Sequence, residues 1–182
     1  MKAIDKYLQD VRISKARKYI RENDTVLDIG TGDGNMFEKW RGYIKSGVGI
    51  DPLLTAKTEN NFYTLLPGYF PDACPVGTTY DVITMLAVLE HIPASIQEVI
   101  AERCFGLLNK NGRIIITVPS PKVDLILNIL KWVKLADGMS LEEHYGFKPE
   151  FTPQIFLDKY FELTCRKMFQ LGLNNLFVFK KK

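Results

Sequence analysis

The stretch Val26-Leu-Asp-Ile-Gly-Thr-Gly-Asp-Gly-Asn-Met36 decides the fold of this chain. Residues 25–29 form a short apolar run of the kind that favours a buried β-strand. Apolar residues at helical spacing follow at Met36, Phe37 and Trp40. The three glycines between the two patterns therefore lie at a strand-to-helix turn, where the backbone needs positive φ and close approach to a ligand. We interpret this turn as a cofactor-binding loop.

The spacing of the glycines excludes two common nucleotide motifs. The dinucleotide pattern G-x-G-x-x-G, begun at Gly30 and Gly32, requires glycine at position 35, where the chain has Asn35. The phosphate loop G-x-x-x-x-G-K-[ST] is also absent. The pattern Asp-x-Gly-x-Gly-x-Gly instead resembles the first motif of class I S-adenosylmethionine-dependent methyltransferases. The resemblance implies that an acidic residue faces the cationic aminoacyl end of the cofactor and that the loop surrounds its methionine part, through Asp28, Gly30, Thr31, Gly32 and Gly34.

A carboxylate lies about twenty residues further on. Val48-Gly-Ile50 is a second short apolar run, and Asp51-Pro52 closes it. An α/β nucleotide site places the acidic residue that accepts the ribose hydroxyls at this offset. We therefore expect Asp51 to bind the cofactor ribose, with Pro52 beside it.

Two later stretches resemble the same family, in particular its small-molecule, methyltransferase-11-like members. Tyr80-Asp-Val-Ile-Thr-Met-Leu-Ala-Val-Leu-Glu-His-Ile92 is similar to the family's fourth-strand motif, although Met85 and Leu86 replace small polar residues. Backbone contact to the cofactor at Met85 and Leu86 survives that change. The helix that follows, the Leu-Leu-x-x-x-Gly stop and the apolar strand Arg113–Val118 are the third match.

The loop of residues 67–73 is expected to border the adenine. Methyltransferases that resemble this chain often carry an acidic residue directly after the glycine of that loop, where this chain has Tyr69. We therefore distribute the adenine contacts over Tyr69, Phe70, Asp72 and Ala73.

Length and composition favour one globular domain over residues 1–182, with a leading helix in 1–22 and an inserted helix and acceptor-site segment in 122–151. The chain is 46% hydrophobic and 25% charged, and its net charge of +3 is too small to indicate nucleic acid by itself. The three cysteines have no C-x-x-C spacing, which suggests reduced thiols and a cytoplasmic protein. The N-terminus lacks the apolar block of a secretory signal, and no run reaches the roughly eighteen apolar residues of a membrane span.

The resemblance covers nearly the whole chain from Thr25 onward and implies an α/β fold with three layers. We expect a Rossmann-like, mostly parallel seven-stranded sheet that ends in a C-terminal antiparallel hairpin. The predicted elements besides the strands above are a helix over 4–21 with a solvated basic face, a reduced second helix after Asp51, a third strand over 62–66, a helix over 93–108, a helix from Thr152 to about 160, and hairpin strands over 161–170 and 174–180.

Residues 123–135 are densely apolar and too short to span a bilayer. They predict either an extra helix packed on the core or a lid over the acceptor site. The segment 138–151 lies where this family builds much of its acceptor pocket. His144, beside Tyr145, is our first candidate for general base or substrate contact, and His91 at the end of the fourth-strand motif is the second. Neither histidine has a partner at metal-ligand spacing, so we predict no metal site.

The sequence therefore predicts an enzyme that uses S-adenosylmethionine to methylate a small molecule, such as a glycan, lipid or quinone precursor. We expect no nucleic-acid surface and a monomer or homodimer. Two alternatives stay open: a protein or RNA acceptor, and a non-catalytic S-adenosylmethionine-binding interaction protein, which Tyr69, Met85 and Leu86 would fit.

Overall fold

The structure is a computed structural model, and it describes residues 3–120, 149–156 and 160–182. These residues form four α-helices and eight β-strands. The helices are α1 (Ala3–Arg17), α2 (Asn35–Trp40), α3 (Ala94–Leu107) and α4 (Thr152–Phe156). The strands are β1 (Thr25–Ile29), β2 (Ser46–Asp51), β3 (Thr58–Glu59), β4 (Tyr63–Pro67), β5 (Tyr80–Leu86), β6 (Leu108–Pro119), β7 (Phe161–Phe169) and β8 (Asn174–Lys181).

All eight strands belong to one sheet with the order β3-β4-β2-β1-β5-β6-β8-β7. Strands β4, β2, β1, β5 and β6 run parallel, so their carboxyl ends meet at one edge of the sheet. Strand β8 lies antiparallel to β6, and β7 completes the C-terminal hairpin. The predicted mostly parallel sheet with an antiparallel ending is confirmed. Strand order reverses at β1, which puts the binding crevice of such a sheet at the carboxyl ends of β1 and its neighbours.

Strand β3, which makes the sheet eight-stranded rather than seven-stranded, was not predicted from the sequence. A reduced helix was expected after Asp51, but Thr58 and Glu59 instead pair antiparallel with β4. Asn60 makes the reversal, because its Oδ1 accepts the N–H groups of Phe62 and Tyr63, each at 2.8 Å. This Asn side chain was expected to end a helix, whereas it closes a turn between two strands.

The core has one cluster on each face of the sheet, which gives the three predicted layers. Ile114, Ile116 and Val118 of β6 pack on the face covered by α3 and α4. Ile115, between them, packs on the opposite face, which α1 and α2 cover. Both faces of β6 are therefore buried, as its continuous apolar run predicts.

Two helix ends differ from the predicted ones. Helix α1 ends at Arg17 rather than at 21, and Tyr19 and Ile20 continue as single turns in which each N–H donates to the carbonyl three residues earlier, at 3.0 and 3.2 Å. Ile20 is still buried, so the apolar periodicity extends past the helix. At the start of α4, Thr152 was expected to cap the helix, but its hydroxyl has no hydrogen-bond partner among the described residues, and a single 3₁₀ turn, Pro149–Phe151, precedes it. The predictions for 123–135 and 138–148 lie outside the described residues.

Candidate cofactor site

The glycine loop follows β1 and is held against β2. The N–H groups of Gly30 and Thr31 both donate to the carbonyl of Ile50, at 2.8 and 3.2 Å. The backbone has positive φ at Gly30, Gly32 and Gly34 (75°, 57° and 76°), which only glycine adopts without strain. A Cβ at Gly30 would lie 2.3 Å from Cγ2 of Val88, whereas the space above Gly32 is open. The predicted strand-to-helix turn is confirmed, and it has an open side at Gly32.

Asp51 ends β2 and fixes this loop. One carboxylate oxygen accepts the N–H of Gly32 at 2.8 Å, and the other accepts the N–H of Leu53 at 2.8 Å. Asp51 is buried, and the exposed Pro52 follows it. Each carboxylate oxygen has a second acceptor direction, so the pair of oxygens retains the capacity to accept two hydroxyl groups.

Asp28 lies one residue before the end of β1 and is almost fully buried. Thr84 on the neighbouring strand β5 donates its hydroxyl to Oδ1 of Asp28 at 2.6 Å. The pKa of Asp28 is raised to about 7. Burial is the main cause and the nearby carboxylate of Asp51 adds to it, while the hydrogen bond from Thr84 opposes the shift. An ionised Asp28 is therefore poorly stabilised by the protein alone and gains from a cationic ligand.

Helix α1 closes the site above Asp28, which sequence analysis did not anticipate. A cavity of about 40 Å³ lies between them, lined from the helix by Gln9, Arg12 and Ile13 and from the sheet side by Asp28, Gly30, Thr31, Met36 and Leu86. Arg12 was predicted to lie on a solvated basic face, but it is half-buried, and burial lowers its pKa. The sequence contained a signal for the burial of Arg12. Arg12 lies four residues after Leu8 and four residues before Ala16, so it shares their apolar face of the helix.

The end of β5 and the loop after it bring three predicted residues, Met85, Leu86 and His91, to the same edge. The side chain of Met85 is fully buried in the core, so a cofactor contact at this residue stays a prediction for its backbone alone. Leu86 lines the cavity. His91 lies in a 3₁₀ turn, where its N–H donates to the carbonyl of Val88 at 2.9 Å.

Glu90 is a further residue that the sequence prediction missed. It is 2% exposed, and its Oε2 has no hydrogen-bond partner in the part of the chain that the structure describes. Burial raises its pKa to about 8, and the positive charge of Arg12 opposes the shift. Glu90 is therefore neutral at pH 7, and the loop after β5 holds a buried acid near α1. Its position directly before His91 was the only feature that could have indicated it.

The predicted adenine loop, residues 67–73, lies beside Asp51, but its residues do not form a single surface. The N–H of Gly68 donates to the carbonyl of Asp51 at 3.2 Å, and Phe70 and Ala73 pack against the core. Asp72 lines a different cavity of about 890 Å³ between residues 71–77 and α3. His144 and Tyr145 lie outside the described residues.

The arrangement combines a glycine loop, a buried acid at the end of β1 and a carboxylate at the end of β2. The sequence model of the methyltransferase domain matches residues 3–160. The chain belongs to the methyltransferase domain family. It is an S-adenosylmethionine-dependent methyltransferase with a Rossmann-like fold, and S-adenosylmethionine is its cofactor. A comparison with curated protein sequences found no match.

Solved structures share the fold of this methyltransferase at low sequence identity. A chain of the complex between the Haloferax volcanii Trm112 methyltransferase activator and a methyltransferase has a TM-score of 0.71 at 16% identity, over 98% of this chain and 93% of that one. Magnesium protoporphyrin IX methyltransferase from Synechocystis PCC 6803, with bound S-adenosylhomocysteine, has a TM-score of 0.64 at 17% identity, over 97% and 83%. A chain of the Pnkp1/Rnl/Hen1 RNA repair complex has a TM-score of 0.64 at 16% identity, over 96% of this chain and 41% of that one. These neighbours include small-molecule and RNA enzymes, so the fold leaves the acceptor of this methyltransferase open.

In residues 3–120, 149–156 and 160–182, no helix is long and apolar enough to cross a membrane.

Proposed function

We propose that this methyltransferase transfers the methyl group to a small-molecule acceptor with apolar character. The observation that carries the proposal is the chemistry of the loops at the cofactor edge. The loops after β1, β4 and β5 (residues 30–34, 68–79 and 87–93) contain no Lys or Arg. A nucleic-acid acceptor is bound largely through cations that neutralise its phosphates, and these three loops supply none.

The exposed side chains of the same edge point to the same class of acceptor. Leu53 is 87% exposed in the loop after β2, and Tyr69 is 74% exposed in the loop after β4. The apolar stretch 123–135 follows β6 in the chain, and β6 ends at this edge with Thr117 in register with Leu86. Apolar groups around a methyl donor favour an acceptor such as a lipid or quinone precursor and keep water from the reaction.

The residues around the glycine loop fit the cofactor's parts. S-adenosylmethionine supplies a methyl carbon that its sulfonium already activates. Ionised Asp28 binds the ammonium group, Arg12 on α1 binds the carboxylate, and the second acceptor directions of the Asp51 oxygens take the ribose hydroxyls. Thr31, Gly32 and Gly34 lie beneath the cofactor, and the backbone of Met85 and Leu86 lies beside it. The acceleration of methyl transfer then comes mainly from positioning the methyl group against the acceptor.

A base is needed only where the acceptor must lose a proton. We assign this role to His144, with Tyr145 as a substrate contact, and place His91 second because its turn lies at the cofactor edge. His144→Ala is then expected to abolish turnover while the affinity for S-adenosylmethionine, measured by calorimetry, stays unchanged. His91→Ala is the matched comparison. Turnover that persists in His144→Ala and vanishes in His91→Ala would transfer the base role to His91.

Acceptor class is tested with S-adenosylmethionine that carries a labelled methyl group. The enzyme is incubated separately with the low-mass, protein and RNA fractions of a cell extract, and label is measured in each. We expect transfer into organic-extractable molecules of the low-mass fraction, and less transfer by Asp51→Ala at a limiting concentration of S-adenosylmethionine. Label in the RNA or protein fraction alone would refute a small-molecule acceptor. Binding of S-adenosylmethionine with no transfer into any fraction would instead favour a non-catalytic binding protein.

We also infer a cytoplasmic location, which the free state of Cys74, Cys104 and Cys165 supports. Oligomeric state is expected to be monomeric or dimeric, and light scattering of the purified protein measures it directly.

A further inference from the structure

A third cavity, of about 340 Å³, lies at the end of the sheet opposite the cofactor loop. Arg113 lines it near the start of the parallel part of β6, in register with Val82 near the start of β5, whereas the other end of β6 reaches the cofactor edge. Lys180 of β8 lies directly opposite Arg113 in the sheet. Lys18 and Arg21, which follow α1 and precede β1, complete the cationic lining. Four cations from three parts of the chain therefore surround one cavity.

Nothing in the lining balances these charges. The other lining residues are Tyr19, Ile20, Asn111, Thr164 and Val178, and none of them is acidic. Glu162 of β7 is the register partner of Lys180 in the hairpin. It does not line the cavity, and it makes no ion pair with that lysine. Like charges gathered around a cavity repel one another, so an anion that enters it is stabilised by Lys18, Arg21 and Lys180 and by the guanidinium of Arg113, which also pairs with the buried Asp24.

Arg113 is built into the wall of the cavity rather than lying loosely on the surface. Arg113 is 8% exposed. Its Nε donates to the carbonyl of Tyr19 at 2.5 Å, and its Nη2 donates to the carboxylate of the buried Asp24. Asp24 also accepts the N–H of Arg21 at 2.6 Å, so one buried carboxylate fixes both arginine positions. Because Nη1 of Arg113 donates to no residue of the described chain, this fixed guanidinium keeps donor capacity.

We propose that this cavity binds a phosphate-bearing ligand, at a site separate from the methyl-transfer site. A planar carboxylate is matched by a single arginine fork, whereas a phosphate or diphosphate takes cations and N–H donors from several directions at once. The cations approach the cavity from three parts of the chain, the segment after α1 (Lys18 and Arg21), β6 (Arg113) and β8 (Lys180). The amide of Asn111 adds a neutral donor. The phosphate belongs to a free nucleotide or to the backbone of an RNA strand, and the experiment below distinguishes these two sources.

The proposal is tested by calorimetric titration of the full chain with inorganic pyrophosphate. Saturating S-adenosylhomocysteine is present, so that the glycine loop does not contribute binding. We expect one saturable site per chain, and we expect Lys180→Gln and Arg21→Gln each to weaken it by about tenfold, the effect of losing one charge-assisted contact. Lys57→Gln is the matched control, because Lys57 is an exposed lysine at the opposite edge of the sheet, paired with Glu59.

Each result has a defined meaning. Absence of saturable binding by the wild-type chain, or an equal loss in Lys57→Gln, would overturn the proposal. Thermal unfolding of each variant confirms that it is folded; Lys18, Arg21 and Lys180 are exposed, so these substitutions leave the core intact. Titrations with adenosine triphosphate and with a single-stranded RNA then identify the source. Tighter binding of the RNA, with pyrophosphate as competitor, assigns the site to a nucleic-acid backbone, and binding of the nucleotide alone assigns it to a free ligand.

Discussion

Asp51 is a single residue on which both the shape of the glycine loop and the affinity for the cofactor depend. Its oxygens accept the N–H groups of Gly32 and Leu53. Asp51→Ala leaves these donors and the ribose hydroxyls without their acceptor, so S-adenosylmethionine should bind more weakly by about 1–3 kcal/mol. Calorimetry measures the loss. Asp33→Ala, in the exposed part of the same loop, should bind as the wild type does, and an unchanged affinity in Asp51→Ala would contradict the ribose assignment.

Asp28 makes cofactor binding depend on pH. Its pKa is raised to about 7, so below this pH it is protonated and cannot attract an ammonium group. The affinity for S-adenosylmethionine should therefore rise with pH, by up to about tenfold per unit below pH 7 for one linked proton. Titrations between about pH 5.5 and 7.5 stay below the usual α-amino pKa of roughly 8 and isolate this carboxyl. Asp28→Asn should flatten the dependence, and a slope that persists in this variant would assign it to another group.

Packing between elements explains why β2 carries glycine at its second position. A Cβ at Gly47 would lie 2.1 Å from Cε1 of Phe37 on α2, and that ring is fully buried and stacked on Tyr63 at 5.3 Å. Gly47→Ala should destabilise the fold by about 1–3 kcal/mol, because the ring has no room to retreat. Gly106 on α3 is the matched control, since a Cβ there meets nothing within 4 Å. Gly106→Ala should stabilise the helix by about 0.5–1 kcal/mol. Denaturant unfolding measures both, and equal effects would contradict the packing argument.

Elements with their own local chemistry could be predicted from the sequence, and those set by tertiary contacts could not. Strand β1 and the glycine loop have the predicted bounds, because apolar β-favouring residues and positive-φ glycines depend on nothing distant. Strand β3 exists only because β4 offers its edge and Asn60 reverses the chain, so a segment of two residues had no periodicity to detect. In the candidate site, the loop and Asp51 were identified from spacing, whereas Arg12 reaches the cavity only because α1 packs against β5 and β6.

The whole molecule separates its charges between the two ends of the sheet. The carboxyl end has buried acids at Asp28 and Asp51 and loops that lack cations after three strands. The amino end has the basic cavity of Lys18, Arg21, Arg113 and Lys180. A net charge of +3 conceals this asymmetry, because opposite patches cancel in the sum. The two ends therefore suit ligands of opposite charge, a cationic cofactor at one and an anion at the other.

Buried acids also determine how the stability of the cofactor-free enzyme varies with pH. Asp28 and Glu90 have pKa values of about 7 and about 8 in the folded chain, against ordinary values of 3.8 and 4.5. Between these limits the folded chain binds protons that the unfolded chain has released, so the free energy of unfolding falls as pH rises from about 4 to 8. Glu90→Gln removes one of these protons, and its stability should fall less steeply over the same interval. Denaturant unfolding at several pH values tests this, with Glu162→Gln on the exposed face of β7 as the control. Equal slopes in the wild type and Glu90→Gln would show that Glu90 is ionised in the folded enzyme, which requires a partner that stabilises its charge.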